Sequence, residues 1–308
     1  MSNETYHIPV MLSETLQGLN INPNGVYVDL TFGGGGHSKA ILENLSSEGE
    51  LYAFDKDEDA IKNTINDERF CLIHDDYSNL SKHLRLYRKT QVDGILADLG
   101  ISSHQIDEGV RGFSINKTAP LDLRMDRRSS ITASDIINTY DKEQLKAIFK
   151  EYAQIANAGH LADRISKQRE INQIVSTTDL IEVIRPLAPK GKENKYFAKV
   201  FQALRIEVND ELGNLTKCLE QCTSLLKEGG RLVVISYHSL EDKLVKNLLK
   251  SGNTLGKIEK DFYGNVISPY KIIIKKPLQA SEEEIMKNSR SRSAKLRVGE
   301  KIKGGQNG

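Results

Sequence analysis

The stretch Asp29-Leu30-Thr31-Phe32-Gly33-Gly34-Gly35-Gly36-His37-Ser38 decides how this chain is read. Residues 26–30, just before it, are β-rich, and residues 38–45, just after it, carry helical spacing. A glycine turn between a strand and a helix lets the backbone approach a ligand and adopt positive φ. A second strand is expected over 51–54 and ends at Asp55, 20 residues after Gly35 (55 − 35). An acid at that place accepts hydrogen bonds from ribose hydroxyls. The dinucleotide fingerprint Gly-x-Gly-x-x-Gly fails, because the frame that starts at Gly33 has Ser38 in its sixth place. That counts against a nicotinamide oxidoreductase. Asp29 would repel a pyrophosphate but suits the cationic amino-acid end of S-adenosylmethionine.

Working outward, a helix is expected over 57–66, a third strand over 70–74 and a fourth over 92–97 that ends at Asp98. Strands alternating with helices imply a parallel sheet covered on both faces. Asp75, Asp76 and Tyr77 follow the third strand, and the Tyr77 ring offers a surface for adenine. Ligands gather at the carboxyl ends of such strands, so these positions converge on one crevice. The alternation stops after Ile101. Residues 111–126 read as loop, and amphipathic helices follow over 141–155 and 179–187 and around Val200, Phe201, Leu204 and Val208. The α/β pattern then returns, with a helix over 215–226, a strand over 231–236, a helix over 240–249 and late strands at 272–274 and 294–298. The expected architecture is a Rossmann-like α/β sheet with an inserted helical domain. Residues 1–107 and 209–308 form the core and 108–208 the insertion, with the last residues, 301–308, expected to fray.

Composition sets outer limits. The 308 residues are 38% hydrophobic and 28% charged, as in a soluble globular protein. No apolar run approaches membrane-spanning length, and the start Met1-Ser2-Asn3-Glu4 lacks a signal-peptide pattern, so a cytoplasmic protein with no membrane partner is expected. Three cysteines are too few for a disulfide framework, and Cys218 and Cys222 read as buried small apolar side chains. The net charge of +1 does not announce a nucleic-acid binder, but residues 124–128 and 289–297 are locally basic.

A series of motifs then runs in order along nearly the whole chain. They are His7-Ile8-Pro9-Val10-Met11-Leu12, Thr31 to Ser38, Asp98-Leu99-Gly100-Ile101-Ser102-Ser103 and Arg111-Gly112-Phe113-Ser114. Next come Leu121-Asp122-Leu123-Arg124-Met125-Asp126, Phe201-Gln202-Ala203-Leu204-Arg205-Ile206 and Asn209-Asp210-Glu211-Leu212. The last are His238-Ser239-Leu240-Glu241-Asp242 and Arg292-Ser293-Ala294-Lys295-Leu296-Arg297. In these the chain resembles the bacterial 16S ribosomal RNA (cytosine-N4) methyltransferases, the RsmH or MraW family. The resemblance implies S-adenosylmethionine as cofactor. As substrate it implies a cytosine in the decoding region of 16S ribosomal RNA, within the small ribosomal subunit. Carried over by motif, the cofactor contacts are Gly35, Gly36, His37, Asp55, Tyr77, Asp98 and Gln105. Asp98 is also the candidate acceptor for the target amino group, standing where many amino-methyltransferases carry a proline-containing motif. The missing prolines speak against a DNA substrate. A purely structural assembly protein would be expected to have lost the glycine loop or Asp55. Candidate RNA contacts are Arg111, Arg124, Arg205, His238, Ser239, Arg290 and Arg292. A structural ion pair is the alternative for Arg205, and a simple turn histidine the alternative for His238. The chain departs from the family at Tyr152-Ala153-Gln154-Ile155 and at Lys195-Tyr196-Phe197-Ala198-Lys199-Val200, both within the insertion.

Overall fold

The structure is a computed structural model and describes residues 9–303. His7 and Ile8 of the first motif, and residues 304–308 of the tail, lie outside the described residues. The chain divides into two compact units: the residues up to Gly100 together with those from Leu212 on, and Ile101–Glu211.

The first unit is built on a seven-stranded sheet of order β3-β2-β1-β4-β5-β7-β6. The strands are β1 Val26–Asp29, β2 Glu50–Asp55, β3 Phe70–His74, β4 Val92–Asp98, β5 Leu226–Ser236, β6 Tyr270–Ile272 and β7 Lys295–Lys301. Strands β1 to β5 run parallel, while β7 is antiparallel to both β5 and β6. Four helices, α1 Leu12–Leu19, α2 Gly36–Glu43, α3 Glu58–Ile61 and α4 Leu80–Leu86, belong to the first half of this unit. The central strands are buried on both sides, which explains their near-continuous apolar sequences. Val28, Ile95 and Val234 belong to one core, whereas Tyr27, Leu96, Val233 and Ile235 belong to the other. Strand order reverses between β1 and β4, which makes the carboxyl end of that pair the switch-point crevice.

The second unit holds α5 Ser103–Glu108, α6 Ala133–Thr139, α7 Lys142–Ala153, α8 Ala158–Arg169, α9 Thr177–Ile184 and α10 Glu193–Val208. It has its own core, including Leu145, Phe149, Leu161, Ile165, Leu180, Val200 and Leu204. Capping boxes at Thr132/Asp135, Asp141/Gln144 and Ser176/Asp179 start three of its helices. The unit begins at Ile101, rather than at 108, because β4 ends at Asp98 and Gly100, at φ 98°, turns the chain. Ile101 already packs against the helical core. Three further helices, α11 Glu211–Leu225, α12 Ser239–Ser251 and α13 Glu282–Lys287, complete the chain.

Three elements differ from expectation. The helix expected over 57–66 is a single turn, Glu58–Ile61, and Asn63 instead donates its side-chain amide to Gly33 O at 3.0 Å. The strand expected at 272–274 pairs as Tyr270–Ile272. Lys301, expected to fray, is paired with Tyr270 in the sheet. Helices α1, α4, α5, α6, α8 and α13 are not legible in the sequence as separate elements; α8 has buried apolar residues only at Ala158, Leu161, Ala162 and Ile165.

Gly94, in the central strand β4, makes the packing of β1 possible. A Cβ there would lie 2.7 Å from the ring of Tyr27, whose hydroxyl accepts a hydrogen bond from Asn22 N at 2.7 Å. Gly94→Val is expected to destabilise the protein by about 1–3 kcal/mol, because the fully packed ring has nowhere to retreat. Urea unfolding checks this, and an unchanged midpoint would refute it.

Candidate active site

Three adjacent strands end in carboxylates: Asp29 on β1, Asp55 on β2 and Asp98 on β4. Parallel register brings their ends to one edge of the sheet, where the glycine turn crosses. The turn is strapped in place by hydrogen bonds. Phe32 N donates to Phe54 O at 2.9 Å, Gly33 N to Asp55 Oδ2 at 2.8 Å, and Gly35 N to Phe32 O at 2.8 Å. The other Asp55 oxygen accepts from Asp57 N at 2.9 Å. Gly35 adopts φ 75° and is the residue before α2, so the helix N-terminus opens at the turn. Three of the four glycines differ in what a side chain would meet. A Cβ on Gly36 would meet Pro9 at 2.4 Å and one on Gly35 would meet the Phe32 ring at 2.9 Å, while one on Gly34 meets nothing within 4 Å. Gly35 and Gly36 are required by the chain's own packing, and at Gly34 the loop faces open space.

The acids are held by dipoles rather than by cations. Asp29 accepts from Thr31 N at 3.0 Å and from the Ser38 hydroxyl at 2.7 Å. Asp98 accepts from the Tyr237 hydroxyl at 2.8 Å, and its other oxygen is 3.7 Å from His37 Nδ1. His37 Nε2 lies 3.0 Å from Val10 O, which can only accept, so that nitrogen carries a proton. Among the described residues, no Lys or Arg pairs with any of the three. Burial pushes the Asp98 carboxyl up to about 6, against the opposing pull of His37 and the Tyr237 hydroxyl. Burial likewise pushes Asp55 up to about 6, against the backbone N–H groups of Asp57 and Gly33, and raises Asp29. A cluster of desolvated carboxylates without a counter-charge is a receptor for a small cation or for a ligand with a cationic end.

Tyr237 was not among the expected site residues. Its only sequence signal is its place directly after the apolar run of β5, beside His238. Burial and the neighbouring Asp98 carboxylate raise the Tyr237 hydroxyl pKa, which keeps it a donor. Its backbone N donates to Glu241 at 2.9 Å. His238 caps α12, with Nδ1 accepting from Glu241 N at 3.4 Å. Its Nε2 is 3.1 Å from Glu241 Oε1 but lacks hydrogen-bond geometry and is buried without a partner. Ser239 is exposed at the first turn of the same helix. Tyr77 begins a short 3₁₀ turn, Tyr77–Asn79, with its ring half-buried against the sheet core. Asp75 and Asp76 are engaged in local structure, Asp75 with His83 at 2.7 Å and Asp76 with Lys56 at 3.1 Å.

The remaining expected residues fall into two groups. Gln105 lies in the second unit and closes a capping box, its Oε1 accepting from Ser102 N at 3.0 Å. Arg124 forms a fork-on-fork pair with Asp122, at 2.7 and 2.8 Å, and Arg128 pairs with Asp126 at 2.8 Å. The basic run 124–128 is therefore largely neutralised. Arg205 is tied to Glu211 by two bonds, at 2.7 and 2.9 Å, so the structural ion pair describes it better than an RNA contact. Arg111 is buried, with its guanidinium 5.5 Å from the Phe113 ring centroid and its Nη1 3.3 Å from Met125 O. In the other basic run, Arg297 is paired with Asp242 at 2.7 Å, whereas Arg292 is exposed and Arg290 half-exposed on the 3₁₀ turn Ser289–Ser293. Cys218 and Cys222 are buried free thiols.

The doubly wound sheet and its glycine turn among strand-end acids define a Rossmann-like methyltransferase. The sequence matches the model of the MraW methylase family over residues 4–302, and the chain belongs to that family. Its relatives include a protein of Phocaeicola vulgatus, 52% identical over 97% of this chain and 99% of its own length. Another, from Cytophaga hutchinsonii, is 52% identical over 96% of this chain and 99% of its own length. Each is named ribosomal RNA small subunit methyltransferase H.

Because the Asp98 pKa is raised above its unfolded value, the native state gains stability as pH falls from above 6 towards 4, and that gain disappears as pH rises through 6. Asp98→Asn is therefore expected to raise the melting temperature of the ligand-free protein at pH 7.5, with the difference shrinking at pH 4.5. Scanning calorimetry at the two pH values decides it, and a variant less stable at pH 7.5 would refute the assignment. Arg205→Ala is expected to cost about 3–5 kcal/mol of stability by stranding buried Glu211. Urea unfolding reads that cost, and a full-stability variant with weakened RNA binding would reverse the structural assignment.

Proposed function

We propose that this protein transfers the methyl group of S-adenosylmethionine to the exocyclic N4 of a cytosine in the decoding region of 16S ribosomal RNA. In this reading the substrate is the small ribosomal subunit and the protein works in the cytoplasm. The observation that carries the reading is the set of three desolvated carboxylates at adjacent strand ends, Asp29 buried and Asp55 and Asp98 partly so, with no Lys or Arg paired to them among the described residues. S-adenosylmethionine has a sulfonium and an α-ammonium, so its charge is what such a cluster lacks, and its sulfonium supplies an activated methyl group. No helix among the described residues is long and apolar enough to cross a membrane, which is compatible with the proposed location.

The roles of the chain's own residues follow from their geometry. Asp55 keeps free lone pairs on both oxygens for ribose hydroxyls while its first lone pairs hold the loop. Asp29 attracts the cationic end, directly or through water. The turn at Gly34 leaves room for a ligand over the N-terminus of α2. Asp98 accepts a hydrogen bond from the cytosine N4–H, which localises the nitrogen lone pair and takes developing positive charge. The Tyr237 hydroxyl fixes one Asp98 oxygen, and the other, 3.7 Å from His37 Nδ1, is the one offered to the base. Positioning of this kind can supply a large share of the acceleration, on the order of 7–11 kcal/mol in favourable systems.

The test uses purified protein, radiolabelled S-adenosylmethionine and small subunits lacking the modification, followed by digestion to nucleosides. Label in N4-methylcytidine is expected. Asp55→Ala should lose cofactor binding, and Asp98→Asn should lose methyl transfer by at least about 100-fold. Absence of label from both subunits and protein-free rRNA, with cofactor binding intact, would overturn the reading.

A further inference from the structure

Between α12 and β6 the chain forms an arm. Lys260 and Val266 bridge in antiparallel fashion, and Ile267 N donates to Glu259 O at 2.8 Å. The tip is a tight turn held by Asp261. Its carboxylate accepts from Tyr263 N at 2.9 Å, Asn265 N at 2.8 Å and Asn265 Nδ2 at 3.0 Å, and Gly264 takes φ 87°. The base is fixed as well. Asn253 binds Lys257 through its N and O at 3.0 and 2.7 Å, and buried Ser268 donates to Leu249 O at 3.2 Å. This built turn holds Phe262 and Tyr263 in solvent, at 97% and 86% exposure, their rings edge to face with centroids 5.7 Å apart. At such exposure the two rings bury little apolar area on folding.

Two lysines lie on the arm itself. Lys257 and Lys260 are exposed, and among the described residues neither has a side-chain partner. Glu259 and Asp261 are the only acids between 255 and 276, and the Asp261 carboxylate is committed to the turn. Stacking faces interleaved with unpaired cations are the chemistry that recognises single-stranded RNA: bases stack on the rings and phosphates meet the ammonium groups. We propose that this arm is an RNA-binding element, a second contact to the ribosomal RNA at a distance from the target base. The distance follows from topology. Helix α12 starts at the carboxyl end of β5, beside Asp98, and its 13 residues run about 20 Å back along the sheet before the arm leaves it. The inference rests on the rRNA reading above and adds where the RNA is gripped.

The experiment compares the full-length wild type with Phe262→Ser/Tyr263→Ser in binding to protein-free 16S rRNA. S-adenosylmethionine affinity is the control for folding. The double variant is expected to bind rRNA about tenfold more weakly with unchanged cofactor affinity. Phe262→Trp/Tyr263→Trp should restore binding, since stacking survives. Lys257→Gln/Lys260→Gln should flatten the salt dependence of log K by about 0.7 for each phosphate no longer neutralised. Equal binding by wild type and the serine variant, or no binding of protein-free rRNA by the wild type, would overturn the proposal. Weakening seen only on assembled subunits would also overturn it, in favour of a protein partner. Tight, arm-dependent rRNA binding without methyl transfer would instead sink the methyltransferase reading and leave this one standing.

Discussion

Everything at the candidate site depends on desolvating Asp29, Asp55 and Asp98 with no Lys or Arg paired to them among the described residues. A parallel sheet with both faces covered leaves only its strand ends for polar groups, and at the switch point three such ends are neighbours. Desolvation raises all three carboxyls, and backbone N–H groups, the hydroxyls of Ser38, Thr31 and Tyr237 and the His37 ring oppose it. The protein thus stores an electrostatic deficit at the proposed ligand site. A neutral replacement relieves the deficit and removes the attraction, the usual conflict between stability and function. The glycine turn is the mechanical counterpart. Asp55 holds Gly33 N, so the same carboxylate that is offered to a ligand also sets the loop's position.

The helical unit resolves its charges in the opposite way. Its arginines are consumed internally, by Asp122, Asp126 and Glu211 and by the backbone oxygens that Arg111 and Arg124 reach. A loop-rich segment such as 111–132 has few ladder hydrogen bonds, and forked guanidinium groups supply the missing constraints by bonding carboxylates and carbonyls together. Arginine clusters in that segment therefore report on how an irregular chain is held. Its core also absorbs the departures from the family pattern. Tyr196, Phe197 and Val200 are buried apolar side chains, and Tyr140 donates to Glu207 at 2.8 Å beside half-buried Tyr152.

The sequence is most legible where one physical demand dominates. The strands β1 to β4 are short apolar runs that end in an acid or histidine, and burial on both faces sets the bounds of β1, β2 and β4. The glycine loop and Asp55 are legible because few other structures need four consecutive glycines. Less is legible where tertiary partners decide. The acid-rich start at Asp57 looks like a helix N-terminus, but the turn ends once Asn63 is drawn to Gly33 O, a contact 30 residues away. The basic runs at 124–128 and 289–297 look alike as RNA contacts, yet pairing with Asp122, Asp126 and Asp242 separates the consumed arginines from exposed Arg292. Tyr237 is hidden because its role comes from a strand neighbour 139 residues away, Asp98.

The same contrast explains why the aromatic arm is silent in the sequence. A Phe-Tyr pair next to a glycine reads as an ordinary turn, and isolated lysines read as solvated surface. Only the fold shows that among the described residues no core covers the rings and no acid pairs with Lys257 or Lys260. Unspent groups carry more functional information than abundant ones. Among the described residues Arg205 is chemically an ideal phosphate ligand but already holds Glu211, whereas Lys257 and Lys260 are weaker individual ligands that remain available. Availability, which is a property of the fold, ranks binding residues better than residue type, which is a property of the sequence.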